Sequence, residues 1–152
     1  MKTIADLKVK LFADGADLDG MKEMYMNPLI KGFTTNPTLM RKAGVQDYKA
    51  FAREVLEAIP DRPISFEVFA DEFDAMENQA FEIASWGNNV NVKIPVTNTG
   101  NQFSGPLVER LSKAGVVLNV TAVMSLDQVR RITECLAPDT PAIISVFAGR
   151  IA

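Results

Sequence analysis

Residues 89–94 read Asn-Val-Asn-Val-Lys-Ile and are closed by Pro95. Val90, Val92 and Ile94 alternate with Asn91 and Lys93, which is the period of a β-strand. Residues two apart on a strand share a face, so Asn91 and Lys93 point the same way. A strand covered on both sides is ordinarily a continuous apolar run. A lysine there is costly unless paired, so this strand is expected to present a working polar face.

Helical-period segments flank that strand. Upstream, Phe73, Met76, Ala80 and Ile83 mark a helix, and residues 63–69 (PISFEVF) mark a strand before it. Downstream, a helix is expected from Pro106, a natural first-turn residue, to Gly115, a natural terminator. Residues 116–123 hold the next strand. Ser125 and Gln128 then form a capping box, with Leu126, Val129, Ile132 and Leu136 as the buried stripe of its helix. A last strand covers residues 142–147. Towards the N-terminus, Tyr48, Phe51, Ala52, Val55, Leu56 and Ile59 give the clearest amphipathic helix, ended by Pro60. A strand at residues 32–35, a helix around residues 17–26 and a strand at residues 8–13 precede it.

The chain thus alternates strand and helix five times and ends on a sixth strand, the pattern of an α/β protein with a parallel sheet. Its 152 residues favour an open doubly wound sheet, because a (β/α)₈ barrel typically needs about 250. The polar residues argue the other way. Asp14 follows the first strand, and Thr35 and Asn36 follow the second. Glu67 lies in the third, Lys93 in the fourth, Asn119 and Thr121 in the fifth, Ser145 in the sixth, and Arg150 lies just past it. In a barrel such positions converge on one mouth at the C-terminal ends of the strands, whereas an open sheet spreads them over two faces.

Composition narrows the chemistry. The chain has no histidine and one cysteine, Cys135, expected to be inert in the fifth helix. A Ser-His-Asp triad, a histidine-ligated zinc and a cysteine cluster are therefore excluded, and no metal or cofactor is expected. A net charge of −3 gives no footprint for nucleic acid. No apolar run approaches the roughly 18 residues of a membrane span, and the N-terminus lacks a secretory core, so the expected compartment is the cytoplasm. What remains is lysine chemistry. A neutral buried amine adds to a ketone or aldehyde to form a Schiff base. Asp14, Glu67 and the Thr121 hydroxyl could move the protons, and the Arg150 fork suits a phosphate. The competing reading makes Lys93 and Glu67 a structural ion pair in a non-catalytic α/β module.

Residues 8–17 (KVKLFADGAD), 32–37 (GFTTNP), 66–68 (FEV), 92–97 (VKIPVT), 118–123 (LNVTAV) and 145–151 (SVFAGRI) together resemble the transaldolase family in order and spacing, over essentially the whole chain. The resemblance implies an eight-stranded (β/α)₈ barrel of which residues 1–152, as one domain, supply about the first six strands. The domain is then incomplete at its C-terminus and is expected to be inactive or aggregation-prone alone. It implies Lys93 as the Schiff-base lysine and Asp14 as the acid–base carboxylate. Glu67 and Thr121 match the pair that holds the catalytic water. Asn36, with Thr35 beside it, Asn119 and Ser145 match residues that position the lysine and bind donor hydroxyls. Arg150 matches a phosphate-binding arginine. The implied reaction moves a dihydroxyacetone unit from sedoheptulose 7-phosphate to glyceraldehyde 3-phosphate, without cofactor, in a homo-oligomeric full-length enzyme. Relatives that act as fructose-6-phosphate aldolases carry Gln at the Glu67 position and Tyr at the Phe147 position, so this chain resembles the transaldolases more. It departs from the pattern at Gly15, at Asn91 and in a longer loop at residues 97–106.

Overall fold

A computed structural model describes residue 6 and residues 8–151, which fall into two compact units divided after Phe66. No helix among the described residues is long and apolar enough to cross a membrane.

The first unit contains strands β1 (Leu11–Asp14), β2 (Ile30–Thr34) and β3 (Ile64–Glu67, whose last residue opens the second unit) and helices α1 (Leu18–Tyr25), α2 (Pro37–Lys42) and α3 (Tyr48–Ala58). β1 runs parallel to β2, with Asp14 level with Thr34, and β2 runs parallel to β3, with Phe33 level with Ile64. Each helix starts at a side-chain cap that satisfies an orphan backbone N–H. Asp17 accepts from Gly20 N at 2.8 Å, Asn36 from Leu39 N at 3.0 Å, and Asp47 from Ala50 N at 2.9 Å. Phe33, Val55, Ile59, Ile64 and Phe66 are wholly buried. Side chains of this size contribute about 1.5–3 kcal/mol each when removed from water.

Two expectations shift here. The first strand starts at Leu11 rather than at residue 8, because the ladder to β2 begins at Leu11–Ile30 and residues 8–10 are exposed. The Asn36-Pro37 turn opens a short helix, α2, that the sequence did not announce. Asn36 caps it and Pro37 occupies its first turn, where a missing N–H costs nothing.

The second unit contains α4 (Phe73–Ala84), β4 (Val90–Pro95), α5 (Gly105–Lys113), β5 (Leu118–Val123), α6 (Leu126–Cys135), β6 (Ala142–Val146) and α7 (Ala148–Ile151). β4, β5 and β6 are parallel and adjacent in chain order. α5 buries Leu107, Val108 and Leu111, and the chain leaves it through Gly115 in the left-handed region, at φ 84°. The capping box at α6 forms as expected: Ser125 accepts from Gln128 N, and the Gln128 side chain accepts from Ser125 N. Ile132 is wholly buried, but Leu126, expected in the same stripe, is 72% exposed. Helical side chains lean towards the N-terminus, so a residue in the first turn overhangs the end of the packed face. β6 is only half-buried. Among the described residues its ladder partner is β5 alone.

Candidate active site

In β4 the alternation is borne out. Val92 and Ile94 are wholly buried on one face, and Asn91, Lys93 and Pro95 take the other. Lys93 is only 7% exposed, and its Nζ lies 3.3 Å from Glu67 Oε2. The backbone brings the two together. Glu67 ends β3, and the next residue, Val68, donates its N–H to the Lys93 carbonyl at 3.2 Å. A proton on the Lys93 amine therefore has a carboxylate acceptor within reach.

β5 extends the polar face. Its register sets Asn119 level with Lys93 and Thr121 level with Pro95, and both β5 residues are buried. Residues level in a parallel pair point to the same side. From β6, the Ser145 hydroxyl donates to Asn119 Oδ1 at 2.7 Å. Between Val120 and Val123 the β5–β6 register shifts, and Ala122 takes φ 59°. This bulge sits immediately after Thr121, a common arrangement where a strand must re-aim a side chain. Past β6, Phe147 N donates to Val123 O at 2.9 Å, and the Arg150 guanidinium lies 4.8 Å above the Phe147 ring. Arg150 is exposed on α7.

The remaining sequence-predicted residues belong to the first unit. Asp14 is exposed at the end of β1, where its Oδ1 accepts from the Thr34 hydroxyl at 2.7 Å. Thr34 was not singled out from the sequence, although it is the first threonine of the quoted GFTTNP. Only the β1–β2 register shows that it stands beside the aspartate. Thr35 is buried, with its N–H donating to Ser65 O at 3.1 Å. The Asn36 side-chain oxygen is engaged as the α2 cap. A cavity of about 440 Å³ opens beside Asp14, lined also by Gly15, Met21, Phe33, Leu39 and Lys42.

Cys135 lies outside these groups. Burial pushes its thiol above the ordinary value, assisted by the charges of Glu109 and Glu134. Its Sγ donates to the Arg131 carbonyl at 3.2 Å, so little reactive thiolate is available.

The second unit thus gathers a buried lysine, a carboxylate, an amide and two hydroxyls on neighbouring strands. A sequence-family model described as Transaldolase/Fructose-6-phosphate aldolase matches residues 11–152. The chain belongs to that family. Relatives named "Probable transaldolase" include proteins of Dehalococcoides mccartyi and Methanococcus maripaludis, each 36% identical over 143 residues. A Streptococcus agalactiae protein of the same name is 35% identical. In all three the match covers 94% of this chain and 62% of the relative, so the chain spans about three-fifths of the relatives it matches.

The family's fold is supported independently. A crystal structure of dihydrodipicolinate synthase from Rhodopseudomonas palustris superposes with a TM-score of 0.56 at 15% identity, covering 82% of this chain and 50% of that one. The fold class is that of the (β/α)₈ barrel, with about six strands supplied by this chain. The open doubly wound sheet favoured by length is overturned.

Proposed function

We propose that this family member is a transaldolase that works through a Schiff base on Lys93, with phosphorylated sugars as substrates. The observation that carries the reading is the buried Lys93 amine 3.3 Å from the Glu67 carboxylate and level with Asn119 on the neighbouring strand. The neutral amine adds to the C2 carbonyl of a ketose phosphate, and the carbinolamine loses water to give the iminium. Glu67 and Thr121 hold that water. Breaking C3–C4 leaves the electron pair in the enamine, and the C4 hydroxyl proton passes to the Asp14 carboxylate. The enamine then attacks an acceptor aldehyde, and hydrolysis returns the free amine. Asn36, Thr35, Asn119 and Ser145 orient the donor hydroxyls. Arg150, braced against Phe147, takes the phosphate with its planar fork. The reaction as read uses no metal or cofactor and belongs to a cytoplasmic, homo-oligomeric full-length enzyme.

Borohydride reduction of the full-length protein with fructose 6-phosphate is expected to add a dihydroxyacetone-derived mass to Lys93. A wild type that forms no adduct, or an adduct that persists in Lys93→Ala, overturns the reading. A fructose-6-phosphate aldolase would instead release free dihydroxyacetone when no acceptor is present. Glu67 and Phe147 favour transfer, and a product assay on fructose 6-phosphate with and without erythrose 4-phosphate as acceptor separates the two.

A second reading draws on the same 3.3 Å contact: Lys93 and Glu67 as a purely structural ion pair. It predicts no adduct under any donor.

A further inference from the structure

The loop after β3 and the loop after β4 are fastened to each other by one residue from each. Asp71 Oδ1 accepts from Thr99 N at 2.8 Å, and Asp71 Oδ2 accepts from the Thr99 hydroxyl at 2.6 Å. Bonds to an ionised acceptor are the stronger kind, and two of them fix orientation as well as distance. Those donors hold the Asp71 carboxyl below the usual carboxylate range.

Both sides of this clasp are stiff. Behind Glu67, the Gln79 side-chain oxygen of α4 accepts from Phe69 N at 2.8 Å and from Ala70 N at 2.9 Å. Behind Thr99 stands a small hairpin closed by the antiparallel Thr97–Phe103 bridge. Within it Asn98 Nδ2 donates to Gln102 Oε1 at 2.8 Å, and Gln102 N donates to Asn98 Oδ1 at 2.9 Å. The Arg131 guanidinium lies 3.9 Å above the Phe103 ring, and Ser104 Oγ donates to Val96 O at 3.0 Å. The loop after β4 is therefore fastened at several points before it reaches α5.

Glu67 is the last residue of β3, so the carboxylate beside Lys93 sits where that strand's regular pairing ends. Strand ends fray unless something beyond them is tied down. We propose that the Asp71–Thr99 clasp is a positioning device that holds Glu67 against Lys93, with Asp71 and Thr99 as positioning residues that touch no substrate. The inference rests on the reading of Lys93 as the Schiff-base lysine. Its structural part, the fastening of Val68 to the Lys93 carbonyl, is measurable without that reading.

The test uses the full-length protein and its Asp71→Ala, Thr99→Val and Thr99→Ser variants. Glu77→Gln serves as a control that breaks another carboxylate contact of the same unit. Two quantities are read: hydrogen exchange at the Val68 amide, and the rate of Lys93 trapping by dihydroxyacetone and borohydride as a function of dihydroxyacetone concentration. Asp71→Ala is expected to speed Val68 exchange and lower the maximal trapping rate, each about tenfold, with little change in the half-saturating concentration. Thr99→Val follows it in part, because its N–H remains. Thr99→Ser and Glu77→Gln stay near wild type. A maximal trapping rate in Asp71→Ala within about twofold of wild type overturns the proposal, even if Val68 exchange accelerates. A wild type that cannot be trapped refutes the Schiff-base reading instead, and unchanged Val68 exchange in Asp71→Ala then refutes the clasp on its own.

Discussion

The Ser145 hydroxyl donates to the side-chain oxygen of Asn119 across the β5–β6 boundary, 2.7 Å away. The bond commits that prong of the Asn119 amide to β6 and turns its NH₂ prong away from Ser145. Asn119 is itself level with Lys93 on β4. Three successive strands thus each contribute a polar side chain to one cluster, and the middle one is oriented by its outer neighbour. A buried amide held in this way fixes direction as well as contact.

The Lys93–Glu67 pair is expected to be strongly coupled in stability. Lys93→Met leaves a half-buried carboxylate without its cation, and Glu67→Gln leaves a buried ammonium without its anion. Each single change should cost about 1–3 kcal/mol, and the double variant should cost less than the sum of the two. Urea unfolding of the four proteins gives the coupling directly, and additive losses would show the pair to be energetically irrelevant.

Gly105→Ala should loosen the hairpin. A Cβ at Gly105 would overlap the Phe103 ring, which is held from elsewhere by Arg131. The ring must move, at a cost of about 1–3 kcal/mol. Phe103→Leu in the same chain should recover part of that loss, as read by the thermal midpoints of the single and double variants.

Ala122→Gly is expected to be neutral or stabilising. Ala122 sits at φ 59°, a region that disfavours a Cβ by roughly 1 kcal/mol. Offset by the greater freedom of glycine in the unfolded chain, the gain should reach at most about 1 kcal/mol. Ala122→Val should be clearly destabilising, since a β-branched residue is worse there. Equal unfolding midpoints for all three would show that the bulge stores no strain.

Acid should weaken the second unit in a way that Glu77 helps to set. Its hydrogen bond to the Arg110 guanidinium holds the Glu77 carboxyl below the usual carboxylate range, with Asp74 also near the arginine. A carboxylate whose folded value is depressed contributes stability above its unfolded value of about 4 and loses it as pH falls through the folded value. Urea midpoints measured from pH 6 downward should fall less steeply in Glu77→Gln than in wild type. Identical slopes would assign acid sensitivity to other groups.

Much of this architecture was legible in residue order. Period-2 runs marked β4 and β5, Gly115 ended α5, and Ser125 with Gln128 announced α6, because these signals act over a few neighbouring residues. Lys93 and Asn119 also stood out locally, as polar groups in strands otherwise apolar. Leu126 misled because periodicity names a face but not where the packed part of that face stops. Thr34 was missed because its role is to bind Asp14, and that pairing depends on the register between two strands. The 3.3 Å approach of Glu67 to Lys93 and the bulge at Ala122 likewise depend on how separate strands align, which no single strand's sequence encodes.

That alignment has a further consequence. A slip of one residue in β5 would bring Leu118 or Val120 level with Lys93 and send Asn119 and Thr121 to the opposite face together. The polar groups of β5 are therefore present as a set or absent as a set. Mis-threaded molecules that keep their helices and most of their sheet would be silent, without the intermediate activities that gradual distortion produces. The register of this one parallel pair serves as a checksum on correct folding.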